Sequence, residues 1–304
     1  MAKIIKHPDV QDYFLEFTLD EIKARPHGII EEYEANNLIL LKNYRMPIDL
    51  AVFSEMSSHM HKIEDESLRR KLKKMTSLSF FQGYSKTELG NDASGLDFND
   101  KVSKAVFEVL CNSDKSLFMR ASQAMEDAHK VTLDLFATCF PDYYYYRMIP
   151  SIRITETLFE NIHWDNHQIE DDFQQVRIFC NLDNRPRIWN ASHNFVNYAR
   201  TLYKDHNLSQ FAGGDPNLLN DYICGKVLGG TRNACKDHLP KHTIAFEPGE
   251  IWFGELRMIS HQIMYGERAM VYMFFIKPEG MLNGERRFNR QVENLHREMA
   301  GELV

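Results

Sequence analysis

The hydrophobic pattern of the chain changes near Pro141, and this change constrains the fold more than any other feature. Before it, apolar residues recur at helical spacing, most clearly over residues 102–137. After it, the segments are short, rich in β-branched and aromatic residues, and separated by turns such as 183–186 and 247–250. Helix-like pieces and paired glycines over residues 195–240 interrupt this second region. The pattern predicts helices first and antiparallel strands afterwards.

About eight antiparallel strands divided between two sheets make a jelly roll. We therefore predict the α+β class, with a double-stranded β-helix core of the jelly-roll, cupin-like type. One early strand, over residues 37–44, is predicted in the otherwise helical first part. The expected organisation is a single domain over 1–304, divided as follows: a mainly helical support (1–140), the jelly-roll core (141–282) with its helical insertion (195–240), and a C-terminal helix (283–304).

Composition excludes several classes of protein. Lys and Arg number 36 against 43 Asp and Glu, and the resulting net charge of −7 argues against a nucleic-acid partner. No apolar run is long enough to cross a bilayer, and the first residues lack the apolar stretch of a signal peptide. The five cysteines are scattered and odd in number, which favours reduced thiols over a disulfide framework. We expect a cytoplasmic protein without a transmembrane segment.

Three polar residues occupy positions where these strands should be apolar. His163 and Asp165 are two residues apart, so on a strand their side chains point to the same face. His261 lies in a later strand-like segment, 258–264. Two imidazoles and one carboxylate that leave other coordination positions open are the ligand set of non-haem Fe(II) oxygenases. Each residue alone has an ordinary structural explanation, and the combination is what predicts a metal site.

An arginine follows the third of these residues and opens an apolar strand. Arg268 precedes the segment 269–276, and a cation at that place needs an anionic partner. The guanidinium fork suits a carboxylate, so a cosubstrate that chelates iron through a 2-oxo acid and carries a second carboxylate is expected. This describes 2-oxoglutarate. Arg153 and Arg177 are the alternative residues for the second carboxylate.

The segment from about 143 to 276 resembles the Fe(II)/2-oxoglutarate-dependent oxygenases. That superfamily has an HxD motif on one strand, a distal His on a later strand and an Arg that opens the last strand. His163, Asp165, His261 and Arg268 match this order. The resemblance implies an enzyme that uses Fe(II), 2-oxoglutarate and O2, forms succinate and CO2, and hydroxylates a C–H bond. The gap of seven residues before Arg268 is short for the family.

The segments 176–181, 186–190 and 260–266 are similar to bacterial Kdo hydroxylases, which act on an acidic sugar of lipopolysaccharide. This implies a small-molecule or lipid-linked sugar substrate, and a basic entrance built from the following residues: Arg147, Arg153, Arg177, Arg185 and Arg187. Three alternatives stay open, namely desaturation or cyclisation of an amino-acid-derived metabolite, an Fe(II) oxygenase without a 2-oxo acid, and a non-catalytic cupin-like metal-binding protein. The sequence makes no prediction about the oligomeric state.

Overall fold

The structure is a computed structural model that describes residues 2–82, 84–86, 96–98, 101–154, 161–166, 172–230 and 239–301. Cys235 and part of the predicted insertion lie outside these residues. Within them, every helix is too short or too polar to cross a membrane.

The described residues form ten α-helices and thirteen β-strands. The helices are α1 (Leu19–Lys23), α2 (Ile30–Glu34), α3 (Ala51–Ser57), α4 (Glu66–Lys73), α5 (Ser79–Gln82), α6 (Lys101–Ala105), α7 (Lys115–Cys139), α8 (Phe195–Leu202), α9 (Pro216–Tyr222) and α10 (Phe288–Met299). The strands are β1 (Lys3–Ile5), β2 (Phe14–Phe17), β3 (Leu38–Leu41), β4 (Lys74–Met75), β5 (Tyr84–Lys86), β6 (Leu96–Phe98), β7 (Tyr145–Arg153), β8 (Gln174–Asn181), β9 (Arg187–Ala191), β10 (His242–Phe246), β11 (Ile251–Phe253), β12 (Gln262–Tyr265) and β13 (Ala269–Ile276). Short 3-10 or π turns lie at 60–62, 106–110, 208–211, 223–227, 278–280 and 284–286.

A seven-stranded sheet forms the centre of the molecule, in the order β2-β3-β11-β8-β13-β7-β4. Its strands pair antiparallel except for β2 and β3, which are parallel. Strand β8 is buried along its whole length because both faces of the sheet are covered. Alternation of side chains therefore sends Ile178 to one covered face and Phe179 to the other.

The long helix α7 covers one face of this sheet. It begins at the side chain of Asp114, which accepts hydrogen bonds from the backbone N–H groups of Ser116 and Leu117. Further along, Phe136 stacks on Phe274 of β13 with ring centroids 4.1 Å apart. The helices before α7 join the same apolar core, so the helical part of the chain backs the seven-stranded sheet.

A four-stranded sheet, in the order β1-β10-β9-β12, packs against the other face. Aromatic rings fill the space between the two sheets. Trp189 of β9 meets Trp252 of β11 edge-on at 5.2 Å, and Trp252 stacks on Phe246 of β10 at 3.8 Å. The edge-on contact is a geometry that aromatic pairs prefer.

The structure confirms a mixed helix and sheet protein with large antiparallel sheets, and it corrects several predicted elements. The helical first part, predicted to hold one strand, also supplies β1 to one sheet and β2 and β4 to the other. The predicted strand 161–165 is absent, because only His163 forms a bridge there, and the strand predicted over 258–264 begins at Gln262. Strands of two to four residues carry too little periodicity to be found in a sequence.

Gly28 joins α1 and α2 against the end of α7, and no other residue fits there. Its φ is +58°, and an added Cβ would lie 2.2 Å from the carbonyl oxygen of Cys139. We expect Gly28→Ala to lower the free energy of unfolding by about 2 kcal/mol or more, because strain and a backbone clash add. Urea unfolding measures this change. Gly225→Ala is the matched control, since nothing lies within 4 Å of its added Cβ, and equal stability of the two variants would contradict the prediction.

Candidate metal centre

Two backbone hydrogen bonds bring the two predicted histidine ligands together. The N–H of His163 donates to the carbonyl of His261 at 3.1 Å, and the N–H of His261 donates to the carbonyl of His163 at 2.9 Å. This isolated antiparallel bridge places both side chains on one face. The imidazole centroids are consequently only 4.3 Å apart.

Asp165 completes the cluster from the same short segment. Its N–H donates to the carbonyl of Leu256 at 2.8 Å, which turns the chain after the bridge. The carboxylate oxygen Oδ1 then lies 3.6 Å from Nε2 of His163 and 3.9 Å from Nε2 of His261. One ligand atom from each residue lies within 4.8 Å of the other two. The three residues singled out in the sequence therefore converge on one point.

The protonation of the two imidazoles suits metal binding. Nδ1 of His163 lies 2.8 Å from the carbonyl of Asn161, so Nδ1 carries the proton and Nε2 presents its lone pair to the cluster. Burial, followed by the neighbouring His163, lowers the pKa of His261 to about 3. At neutral pH, His261 is therefore a neutral imidazole that can donate a lone pair.

These donors fit a divalent cation. Two imidazole lone pairs and the Oδ1 atom of Asp165 face one another across distances too long for hydrogen bonds. Lone pairs that face one another repel, and a cation between them converts the repulsion into three ligand bonds. Two histidines and one carboxylate on one side of a cavity are the donor set of a non-haem Fe(II) centre.

Arg177 holds the second oxygen of the same carboxylate. Its Nη1 donates to Oδ2 of Asp165, while its Nε and Nη2 donate to Oε1 of Gln175 at 3.0 and 2.6 Å. The backbone N–H of Gln175 donates in turn to the buried Glu255, at 2.9 Å. A chain of buried hydrogen bonds thus fixes the orientation of Asp165, with Oδ2 occupied and Oδ1 turned toward the histidines.

A cavity of about 410 Å³ opens beside the cluster, between the two sheets. Phe179, Trp189, Ile263 and Val271 give it apolar walls. Polar and charged groups also line it; besides the three cluster residues and Arg177 they are Lys74, Ser151, Arg153, Asn166, Arg187, Asn220 and Asp221. A concavity with apolar walls and convergent polar groups is typical of a small-molecule site.

The arginines predicted to bind a cosubstrate occupy different places. Arg153 and Arg177 line the cavity, whereas Arg268 does not. The side chain of Arg268 contacts Asp183 and donates to Ser57 of α3 at 2.7 Å, on the helical side of the sheet. Side chains alternate along β13, so the residue before Ala269 points away from the cavity that Ala269 lines. The structure does not place Arg268 with the metal ligands.

Only part of the basic entrance predicted from the sequence lines the cavity. Of the predicted basic entrance, Arg153, Arg177 and Arg187 line the cavity, while Arg147 and Arg185 are not among the described lining residues. Lys74 and Asn220 line it too and were not predicted. Lys74 lies in a strand of two residues and Asn220 in a helix of the insertion, so neither carries a local signal for a site.

Arg177 offers a direct test of the geometry. We expect Arg177→Met to weaken binding of Co(II) by about tenfold or more, because partners of metal ligands orient them. Titration of the visible Co(II) absorption measures the affinity, and Arg177→Lys should recover part of it because one hydrogen bond to Asp165 can re-form. Thermal unfolding of the metal-free variants controls for folding. Unchanged Co(II) affinity and an unchanged spectrum would contradict the role of Arg177.

No protein-family model matches the chain, and a search of the curated proteins also finds no match. Solved structures do match. The Kdo hydroxylase KdoO, a non-heme Fe(II) alphaketoglutarate-dependent dioxygenase, is similar in its complex with alphaketoglutarate and Fe(III), with a TM-score of 0.54 and 15% identity over 92% of this chain and 95% of KdoO. Its cobalt(II) complex gives a TM-score of 0.52 and 15% identity over 96% and 97%. The chain therefore has the fold of a Kdo hydroxylase, which is a non-heme Fe(II)/2-oxoglutarate-dependent dioxygenase. This confirms, at the level of the fold, the resemblance seen in the sequence.

Proposed function

We propose that the protein is an Fe(II)/2-oxoglutarate-dependent dioxygenase that hydroxylates a C–H bond of a small, polar, sugar-like substrate. The single observation that carries this proposal is the convergence of His163, His261 and Asp165 Oδ1 beside a cavity. A three-histidine or cysteine-rich set would favour zinc instead. The fold shared with KdoO supports the same chemistry.

Strand order supports a jelly-roll core. The central strands of the large sheet run β11-β8-β13-β7, and those of the small sheet run β10-β9-β12, with the His163 bridge continuing beyond β12. Two four-stranded layers in this order form a double-stranded β-helix, in which the ligands lie between the layers. We propose a single oxygenase domain over 1–304. We also propose a cytoplasmic location, because the described cysteines are free thiols, as is usual in a reducing compartment.

When bound, Fe(II) and 2-oxoglutarate supply O2 activation that is coupled to loss of CO2 and formation of succinate. His163, Asp165 and His261 would hold the metal through three protein groups beside the cavity. Arg177 keeps Asp165 in the orientation in which only Oδ1 faces the metal. Trp189 and Val271 give the cavity apolar walls on the side where the substrate would lie.

Arg187 is the residue we assign to the distal carboxylate of 2-oxoglutarate. It is 2% exposed and lines the cavity on β9, next to β12 and the bridge that carries His261. Gly266 makes room for it, since an added Cβ there would lie 2.7 Å from Cγ of Arg187. A buried guanidinium in a cavity with a metal centre is suited to bidentate binding of a carboxylate.

The substrate class follows from the polar part of the cavity and from the neighbouring structures. KdoO is a Kdo hydroxylase, and the cavity of this chain is lined by Asn166, whose buried Oδ1 has no hydrogen-bond partner among the described residues. An amide oxygen of this kind accepts a hydrogen bond from a hydroxyl group. A free or lipid-linked acidic sugar is therefore the substrate we propose to test first.

Removal of a ligand tests the proposed activity. We expect His163→Ala and His261→Ala to abolish succinate formation from 2-oxoglutarate, along with the visible absorption band of the anaerobic Fe(II)·2-oxoglutarate complex. Liquid chromatography with mass detection measures succinate. His59→Ala is the control, since His59 hydrogen-bonds to Leu110 far from the cluster. A wild-type protein that binds Fe(II) but never shows the band or succinate would exclude the proposal and favour an oxygenase without a 2-oxo acid or a non-catalytic metal protein.

Arginine variants test which residue binds the cosubstrate. Arg187→Met should raise the KM for 2-oxoglutarate by about tenfold or more with little loss of Fe(II) affinity, because a charge-assisted hydrogen bond contributes about 1.5–3 kcal/mol. Arg268→Met removes a buried partner of Asp183, so it should lower thermal stability and leave that KM unchanged in the folded protein. The opposite pattern would return the role to Arg268.

A further inference from the structure

Glu255 is a buried carboxylate that the proposed chemistry does not use. It is 1% exposed and is not among the described residues that line the cavity. Its Oε2 accepts a hydrogen bond from the backbone N–H of Gln175 at 2.9 Å, and its Oε1 accepts one from the N–H of Arg257 at 3.1 Å. The guanidinium Nε of Arg257 lies 3.5 Å from Oε1. Burial of a carboxylate is costly, and these donors offset the cost.

The two oxygens of Glu255 tie down two separate segments of the chain. One is the start of β8, which contains Gln175, and the other is the turn 255–259, which contains Arg257. Both partners are N–H donors, so both oxygens must be acceptors. A carboxylate meets this requirement, whereas the amide of a glutamine has one acceptor oxygen and would turn its NH2 group toward one of the two donors.

The first segment leads from Glu255 to the carboxylate of Asp165. Gln175 is fully buried, and its backbone is held by Glu255 at the N–H and by the hydroxyl of Tyr33 at the carbonyl, at 2.7 Å. Burial, followed by the nearby Glu255, raises the pKa of Tyr33, so this hydroxyl keeps the proton that it donates. The side chain of Gln175 then accepts two hydrogen bonds from Arg177, which donates to Oδ2 of Asp165.

The second segment leads to the backbone of Asp165 and to His261. The carbonyl of Glu255 closes the turn by accepting hydrogen bonds, at 3.0 and 2.9 Å, from two N–H groups: those of Met258 and Ile259. Within the turn, the carbonyl of Leu256 accepts from the N–H of Asp165 at 2.8 Å. His261 follows two residues after the turn ends. Glu255 therefore supports Asp165 at both its side chain and its backbone.

We infer that Glu255 is a positioning residue of the metal centre, which sets the geometry of Asp165 through Gln175 and through the turn 255–259. This inference rests on the metal site of the proposed function and adds a residue to it. Glu255 acts from behind Arg177 and Leu256 without lining the cavity. Its role depends on two acceptor oxygens, and this requirement makes the inference testable by a substitution that keeps size and shape.

Glu255→Gln in the full-length protein is that substitution. We expect it to weaken binding of Co(II) by about tenfold and to change the visible absorption of the saturated Co(II) complex, because partners of metal ligands orient them. The spectrum at saturating Co(II) reports ligand geometry, so a loss of stability alone does not change it. Titration of the metal-free protein with Co(II) gives both quantities, and thermal unfolding of each metal-free variant is measured alongside.

Glu34→Gln is the matched control. Glu34 is 3% exposed, and its two oxygens accept hydrogen bonds from donors outside the segments that carry the ligands: the hydroxyl of Tyr143 and the N–H groups of Leu282 and Asn283. The substitution thus creates the same conflict of donors at another buried carboxylate. We expect Glu34→Gln to lower the unfolding temperature and to keep the wild-type Co(II) affinity and spectrum.

Wild-type affinity and spectrum in folded Glu255→Gln, or equal changes in Glu34→Gln, would overturn the inference. Glu255→Asp decides the matter if Glu255→Gln does not fold. It keeps two acceptor oxygens on a shorter side chain, so we expect a smaller loss of Co(II) affinity with an altered spectrum, and wild-type values would overturn the inference.

The same preparations separate this inference from the proposed function. If wild-type protein binds Co(II) and forms succinate while Glu255→Gln matches it in Co(II) affinity and spectrum, the role of Glu255 alone is wrong. If Glu255→Gln changes the Co(II) complex but wild-type protein never forms succinate from 2-oxoglutarate, the positioning role stands and the oxygenase activity is wrong. If wild-type protein binds no Co(II), both are wrong.

Discussion

The reciprocal backbone hydrogen bonds between His163 and His261 are the interaction on which the site depends. They join the segment 161–166, whose described residues have no other strand pairing, to the edge of the four-stranded sheet, and they align two imidazoles with centroids 4.3 Å apart. Asp165 follows two residues later and is turned inward by its bond to Leu256. Loss of this bridge would separate all three proposed ligands at once, whereas loss of one side chain would leave the other two in place.

Packing on both sides of the large sheet makes this arrangement rigid. Helix α7 and its neighbours cover one face, and the aromatic contacts of Trp189 and Trp252 join the other face to the small sheet. Because the strands are buried on both sides, a shift in register would exchange core and cavity residues, which the apolar contacts resist. The alternation of side chains along each strand also decides which arginines reach the cavity. Arg187 lines the cavity, whereas Arg268 points to the helical side of the large sheet.

The charge of the cavity depends on where the arginines lie in the fold and not on the net charge of the chain. The chain as a whole is acidic, yet its cavity is lined by cations because Arg153, Arg177 and Arg187 fall on inward-facing positions of three strands. Arg177 hydrogen-bonds to Asp165, and Arg187 is the residue that we propose for the cosubstrate. Net charge therefore says little about the ligands of a protein whose site holds a few well-placed guanidinium groups.

Sequence pattern was enough to predict the mixed fold, the resemblance to 2-oxoglutarate oxygenases and the three residues of the cluster. The hydrophobic periodicity, the spacing of His163 and Asp165, and the presence of a histidine in a later strand-like segment can all be read without the structure. Tertiary structure decided the rest. The bridge replaces a predicted strand, since backbone pairing at His163 depends on a residue far along the chain. Arg187 lines the cavity and Arg268 is not among its lining residues, because which face a strand presents to the cavity depends on how the two sheets pack. Lys74 entered the site through a two-residue strand whose pairing with Arg153 no local pattern records.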